Sequence, residues 1–231
     1  MGVLESLPRA WISLDLPGYR DDPGGGTYGT FPSEGLPPIQ RTLDSHLHWL
    51  LGEPAAPDWA ILNPKEVASF EVGKSRIFQR QRLPLPDSFA AFIASPAPAS
   101  RIRSGTGCYV DFADHAVPAA DGGVIIHFLS DQQWVVHWLL YVGPHGGEAV
   151  VATYLPYGFD FEPGETHPDY DISALTVFDP SPSDAQVCSE SFSEFVYRFW
   201  IENEIWFRLK SGPLTDEQRH YLNHYRDRPT P

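Results

Sequence analysis

Three apolar runs separated by short polar turns restrict most tightly what this chain can become. GGVIIHFLS (122–130), WVVHWLLYV (134–142) and EAVVATY (148–154) are rich in β-branched and aromatic residues, and only DQQ and GPHGG connect them. Connectors that short join neighbouring antiparallel strands, so the runs predict a β-meander. The runs are nearly continuous rather than alternating, which predicts a sheet covered on both faces. ISALTVF (172–178) reads as a fourth strand after the loop PYGFDFEPGETHPDYD.

Helical patterns lie on either side of the strands. Leu83 to Ala94 reads as a short amphipathic helix opened by Asp87, with Phe89, Phe92 and Ile93 inward. Ser189 or Ser191 can cap a long helix, SFSEFVYRFWIENEIWFRLK, which Gly212–Pro213 ends. Phe192, Phe195, Val196, Phe199, Trp206 and Phe207 form its main apolar arc, with Asn203 near the centre. Ile201 and Ile205 fall on the opposite side, so this helix is either buried from two directions or presents a contact surface there. Thr215 then caps a last helix, LTDEQRHYLNHY. Upstream, TLDSHLHWLL (42–51) suits a short helix, with Leu43, Leu47 and Leu50 at helical spacing and Gly52 beyond its end.

Residues 15–40 hold eleven Pro or Gly residues and no hydrophobic period, and read as an irregular, partly mobile arm. The expectation is an α+β protein: a central antiparallel or mixed sheet with a β-meander, flanked by N- and C-terminal helices. Residues 1–60 are the Pro/Gly-rich arm plus a short helix, and 61–228 the α+β domain. At 231 residues such a chain buries enough surface to fold without a disulfide or metal. Cys108 and Cys188, lacking CxxC spacing, read as buried reduced thiols. No secretory leader and no run of about 18 apolar residues is visible, so the expected setting is the cytoplasm.

Charge is distributed unevenly. The chain carries a net charge of −14, and between Ser104 and Tyr197 there are fourteen Asp or Glu and no Lys or Arg. Just upstream Lys74, Arg76, Arg80, Arg82, Arg101 and Arg103 form a basic stretch interrupted only by Asp87. Direct binding to nucleic acid is disfavoured by this balance, because phosphates need cations. The acidic segment is either a solubilising face or a field that steers a basic partner.

Catalytic signatures are missing: no GxSxG, GxxxxGK[ST], HExxH or paired CxxC occurs, and the glycines at 24–26 are not framed by a strand and a helix. His220 and His224, with Glu217, share one helix face at a spacing that a metal site could use. Asp111, Asp114 and His115 lie together in a loop, His46 and His48 point apart on a helix, and Glu202 and Glu204 are separated on theirs. His127 and His137 sit on adjacent strands, where an even hairpin loop puts them on opposite faces and an odd one on the same face. The even loop closes on Leu129 and Trp134, an apolar pair, and is expected. No cofactor or metal is expected, and no enzyme activity.

LPLPDSFAAF, TGCYVDF, GGVIIHFLSDQQWVVHWLLYVGPHGGEAVVATY and SFSEFVYRFWIENEIW, in that order and spacing, resemble the SUKH superfamily of Knr-, Smi- and Syd-type proteins over about residues 80–225. The resemblance implies an α+β fold with helices around a central sheet. It also implies a binding role without catalysis, many bacterial members being thought to neutralise polymorphic toxins, often nucleases. SPAPAS stands here where that pattern has an Asn-Gly turn.

The expectation is therefore a toxin-neutralising immunity protein or regulatory adaptor that binds a basic protein, such as a nuclease toxin. Its contact surface is expected at Asp111, Asp114, Asp131, Glu148, Asp160, Glu162, Glu165, Asp169 and Asp171. The alternatives are a metal-dependent hydrolase using His220/His224 or the Asp111–His115 loop, and a scaffold subunit using Ile201 and Ile205. The oligomeric state and the partner's identity are open.

Overall fold

The computed structural model describes residues 2–20, 27–56, 58–80, 84–162 and 164–226. Gly24, Gly25 and Gly26 of the arm, Arg82 of the basic stretch, Leu83 and the side chain of Arg80 lie outside the described residues. In chain order the elements are β1 (Ala10–Ser13), β2 (Gly29–Pro32), α1 (His48–Leu51), α2 (Val67–Arg80), α3 (Asp87–Ala94) and β3 (Tyr109–Val110). Then come β4 (Val117–Pro118), β5 (Val124–Ser130), β6 (His137–Val142), β7 (Glu148–Thr153), β8 (Ala185–Ser189), α4 (Phe192–Ser211) and α5 (Asp216–Arg226). The α+β class follows directly.

The main sheet runs β3-β5-β6-β7-β8, with β4 also on β5, and its strand pairs are antiparallel. Its two faces bury separate clusters, as continuous apolar strands require. On one face Ile126, Phe128, Trp138, Leu140 and Val150 meet α3 and α4. Phe128 packs edge-on against Phe89, Phe192 and Phe195 at 6.0, 5.2 and 5.5 Å between ring centres. On the other face Ile125, Leu139, Tyr141 and Val151 lie under the N-terminal turn through Val3 and Leu7, and under Tyr157, Leu175 and Phe178. The segment following β7 is thus tied to the sheet by its own aromatic residues.

α4 is N-capped by Ser191, whose hydroxyl accepts from the Glu194 N–H. Both Ile201 and Ile205 are fully buried, so the helix is covered from two directions and that pair offers a scaffold no surface. α5 opens with a reciprocal cap, the Thr215 hydroxyl accepting from Gln218 N–H and the Gln218 amide oxygen from Thr215 N–H.

Four expectations are corrected. ISALTVF is not a strand: Ile172–Thr176 forms a 3₁₀ turn, because Asp171 accepts from the Ser173 N–H and starts a helical turn. The fourth strand of the meander is AQVCS, β8. The helix expected at 42–51 shrinks to α1, because the Asp44 carboxylate accepts from His46 N–H and His48 N–H while Leu47 takes φ 56°. His46 and His48 therefore do not point apart; their rings meet at 5.6 Å.

The described residues of the supposed arm are part of the body. β1 and β2 form a hairpin, Arg9 bridges in parallel to Val187 beside β8, and Trp11, Ile12, Leu16 and Leu36 belong to the main core. What fixes this hairpin is a buried carboxylate on α4. Glu202 accepts from Trp11 Nε1 at 2.8 Å, Arg20 Nη1 and Nη2 at 2.7 and 2.8 Å, and Tyr221 Oη at 2.8 Å. Burial pushes Glu202 up, but the Arg20 guanidinium and the Ser13 and Trp11 donors outweigh it and hold the carboxyl below its usual range.

α2 has no counterpart among the sequence expectations. Its start is marked by Asn63, whose backbone N–H donates to Glu66 Oε2 at 3.1 Å, and Phe70, Gly73 and Ile77 supply the buried stripe. A Cβ on Gly73 would lie 2.7 Å from the Cβ of Phe112, so only glycine lets that ring rest on the helix backbone. The described cations of the basic stretch are engaged. Lys74 pairs with Glu71, Arg76 with Asp114, and Arg103 with Glu204, while Arg101 donates to the carbonyls of Glu53 and Ala97.

Candidate functional site

The β5–β6 connection is built around Asp131. Its Oδ1 accepts from the N–H groups of Val135 and Val136 at 2.7 and 2.9 Å, and its Oδ2 from Gln133 N–H at 3.2 Å. A further backbone bond joins Trp134 N–H to the Asp131 carbonyl at 3.0 Å. This wrapping drives Trp134 into the left-handed region at φ 59°, an unfavourable conformation for a bulky side chain. The result is an exposed apolar tip, Trp134 at 38% and Val135 at 52%. The indole N–H donates to Asp111 Oδ2 at 3.2 Å, and the ring stands edge-on to His137 and Phe159 at 5.1 and 5.2 Å.

Beneath the tip lies a buried polar group. Ser130 Oγ is 2.8 Å from His127 Nε2, 3.0 Å from His137 Nδ1 and 2.9 Å from Asp111 Oδ2. A hydroxyl has one hydrogen and two lone pairs. The carboxylate takes the hydrogen, so each imidazole donates an N–H, which fixes His127 as the Nε2–H and His137 as the Nδ1–H tautomer. Desolvation by burial holds both imidazoles down at about 3, and the neighbouring His127 adds to the effect on His137. Neither nitrogen facing Ser130 is a base, and Ser130 is itself fully buried. The arrangement therefore does not fit Ser–His nucleophile chemistry.

The imidazoles share a face, contrary to expectation. The loop closes with Ser130 opposite His137, and a β-bulge between His127 and Leu129 shifts the register so that His127 faces Leu139. The extra residue brings both rings to one side, 5.0 Å apart.

Two loops flank the tip. Gly158, at φ 89°, accepts from His115 N–H, and a Cβ there would meet the His115 carbonyl at 2.5 Å. His115 Nδ1 lies 3.3 Å from Asp160 Oδ1, and Asp160 N–H donates to Asp114 Oδ2 at 3.1 Å. Of the nine acidic residues expected at a contact surface, Asp160, Glu162, Glu165, Asp169 and Asp171 are exposed on the loop after β7. Asp114 is half-buried beside Arg76. Asp111 turns inward to Ser130 and Trp134, and Asp131 is 1% exposed and committed to its turn. Glu148 is half-buried on β7, where burial pushes its carboxyl up and the Phe192 N–H holds it back. In the sequence Trp134 reads only as half of the apolar pair closing the hairpin, and Phe159 carries no signal; D-Q-Q-W-V after a strand, with Asp able to wrap the next turn, is what marks the tip.

The remaining candidates are dispersed. His220 is exposed on α5 beside Gln40, His224 is half-buried there, and Glu217 is taken by Arg41 and Tyr197. Among the described residues no group of three or more His, Cys, Asp or Glu could hold a metal ion. Glu202 and Glu204 have different partners, Arg20 and Arg103. No helix among the described residues is long and apolar enough to cross a membrane. No family model, curated protein or solved structure matches the chain.

Proposed function

We propose that this chain is a non-catalytic binding protein of the SUKH kind, a toxin-neutralising immunity protein or regulatory adaptor acting in the cytoplasm on a basic protein partner. The observation that carries this reading is the contact of the exposed Trp134 with Phe159, 5.2 Å between ring centres, at the start of the loop that goes on to bear the exposed Asp160, Glu162, Glu165, Asp169 and Asp171. A rigid aromatic anchor within a polar rim is the composition of an interface hot spot. Lys and Arg are absent throughout 104–197, and Arg76, which reaches this region from α2, is paired with Asp114, so the segment's excess charge is negative and speeds the approach of a cationic surface. The ordered segments quoted for the SUKH resemblance span this same region.

The test is co-expression with the protein encoded beside it, followed by kinetic binding measurements. Reversal of Asp160, Glu162 and Glu165 to Lys is expected to slow association about tenfold or more and to flatten its salt dependence. Trp134→Ala is expected to accelerate dissociation by about thirtyfold, the value of a buried aromatic anchor near 2 kcal/mol. A complex indifferent to both changes refutes the surface.

A further inference from the structure

A groove of about 540 Å³ runs between α2 and β3, next to the tip. Phe70, Val72, Tyr109 and Phe112 give it flat, largely apolar walls, and Gly73 lets the Phe112 ring lie against the helix. Phe70 and Phe112 meet at 5.5 Å between ring centres, and Val72 is 54% exposed. Two carboxylates line the same groove: Glu66, whose Oε2 accepts from Asn63 N–H, and Asp111, whose Oδ2 accepts from Ser130 and Trp134. The guanidinium of Arg76 also lines it, but its charge is met by Asp114 at 2.5 Å.

We propose that this groove is a receptor site for an arginine side chain of the protein partner. The proposal rests on the reading of the tip as protein-binding, with which the groove is continuous: Asp111 lines the groove and accepts the Trp134 indole N–H. A planar guanidinium stacks on aromatic walls and forks onto a carboxylate, which an ammonium does less well. The volume admits one long side chain with its flanking backbone. The electrostatic setting agrees: burial first, then the carboxylates of Asp111, Asp131 and Glu66, push the Tyr109 hydroxyl up to about 12. The carboxylate share of that shift, which comes after burial, is in keeping with the two acidic groups in the lining.

The probe is N-acetyl-arginine amide, titrated into the full-length protein and followed by amide NMR signals of Tyr109, Asp111, Phe112 and Gly73. Saturable shifts confined to these residues are expected. N-acetyl-citrulline amide, which keeps the shape but not the charge, should leave them unmoved, and N-acetyl-lysine amide should bind more weakly. Glu66→Gln keeps an acceptor for the Asn63 N–H and is expected to weaken the arginine probe about threefold, the scale of one partly exposed ion pair. Absence of saturable shifts, equal response to citrulline, or an unchanged affinity in Glu66→Gln overturns the proposal. Loss of partner binding on loop reversal with a silent arginine probe sinks the groove alone. Arginine binding in the groove with a partner indifferent to the loop and to Trp134 sinks the interface reading instead.

Discussion

Acidification should unfold this protein through the imidazole pair under the tip. His127 and His137 are 2% and 0% exposed and are held neutral in the fold, each with a pKa near 3. In the unfolded chain an imidazole titrates near 6.5. Because the folded values lie below the unfolded one, the stability linked to each ring is complete above about pH 6.5 and is lost as the pH falls toward 3. Between pH 7 and pH 5 the unfolded state gains protons that the folded state refuses, which costs about 2 kcal/mol per histidine and about 4 kcal/mol for the pair. With a urea slope of about 2.5 kcal/mol per M for a chain of this size, the unfolding midpoint should fall by roughly 1.5 M. The comparison is the double variant His127→Gln, His137→Asn, in which an amide nitrogen can stand where each donating ring nitrogen stood. Its midpoint, read by urea unfolding at pH 7, 6 and 5, should lack that component, while carboxylates elsewhere contribute equally to both proteins. Parallel midpoint-against-pH curves for the two proteins would show that the pair is not the acid-sensitive element.

Further predictions come from other buried polar groups. Glu202→Gln leaves the Arg20 guanidinium buried without its charge partner and should cost about 3–5 kcal/mol, measured by urea unfolding. Asp131→Ala removes the acceptor of Val135, Val136 and Gln133 N–H groups and should cost about 1–3 kcal/mol, with Trp134 fluorescence moving toward the fully solvated value. If the emission does not move, the carboxylate is not what holds the tip.

Much of the architecture is legible in the residues because it rests on apolar pattern. β5, β6 and β7 are continuous β-branched runs, α3 places Phe89, Phe92 and Ile93 inward, and α4 is capped at Ser191. What escapes is decided by single polar contacts or by backbone irregularity. One extra residue near Phe128 reverses the face of His127, and no periodicity announces a bulge. The β1–β2 hairpin is obscured by Pro and Gly, since its stability lies in a carboxylate on a distant helix rather than in its own alternation. The acidic surface is legible as a segment but not residue by residue: Asp131 and Asp160 are alike in sequence, yet one folds a turn and the other faces solvent.

The tie between Trp11 and Glu202 also governs when the fold can be completed. Its partners are 191 positions apart, and Arg20 is 182 from the same carboxylate. During synthesis at about 5–20 residues per second, the hairpin waits roughly 10–40 s for its anchor to emerge. Throughout that interval Trp11 and Arg20 have no carboxylate to close on, and β8, which the first strand flanks, has not been made. Closure of this hairpin is thus a late, long-range step, since its anchor lies on a helix made long after it.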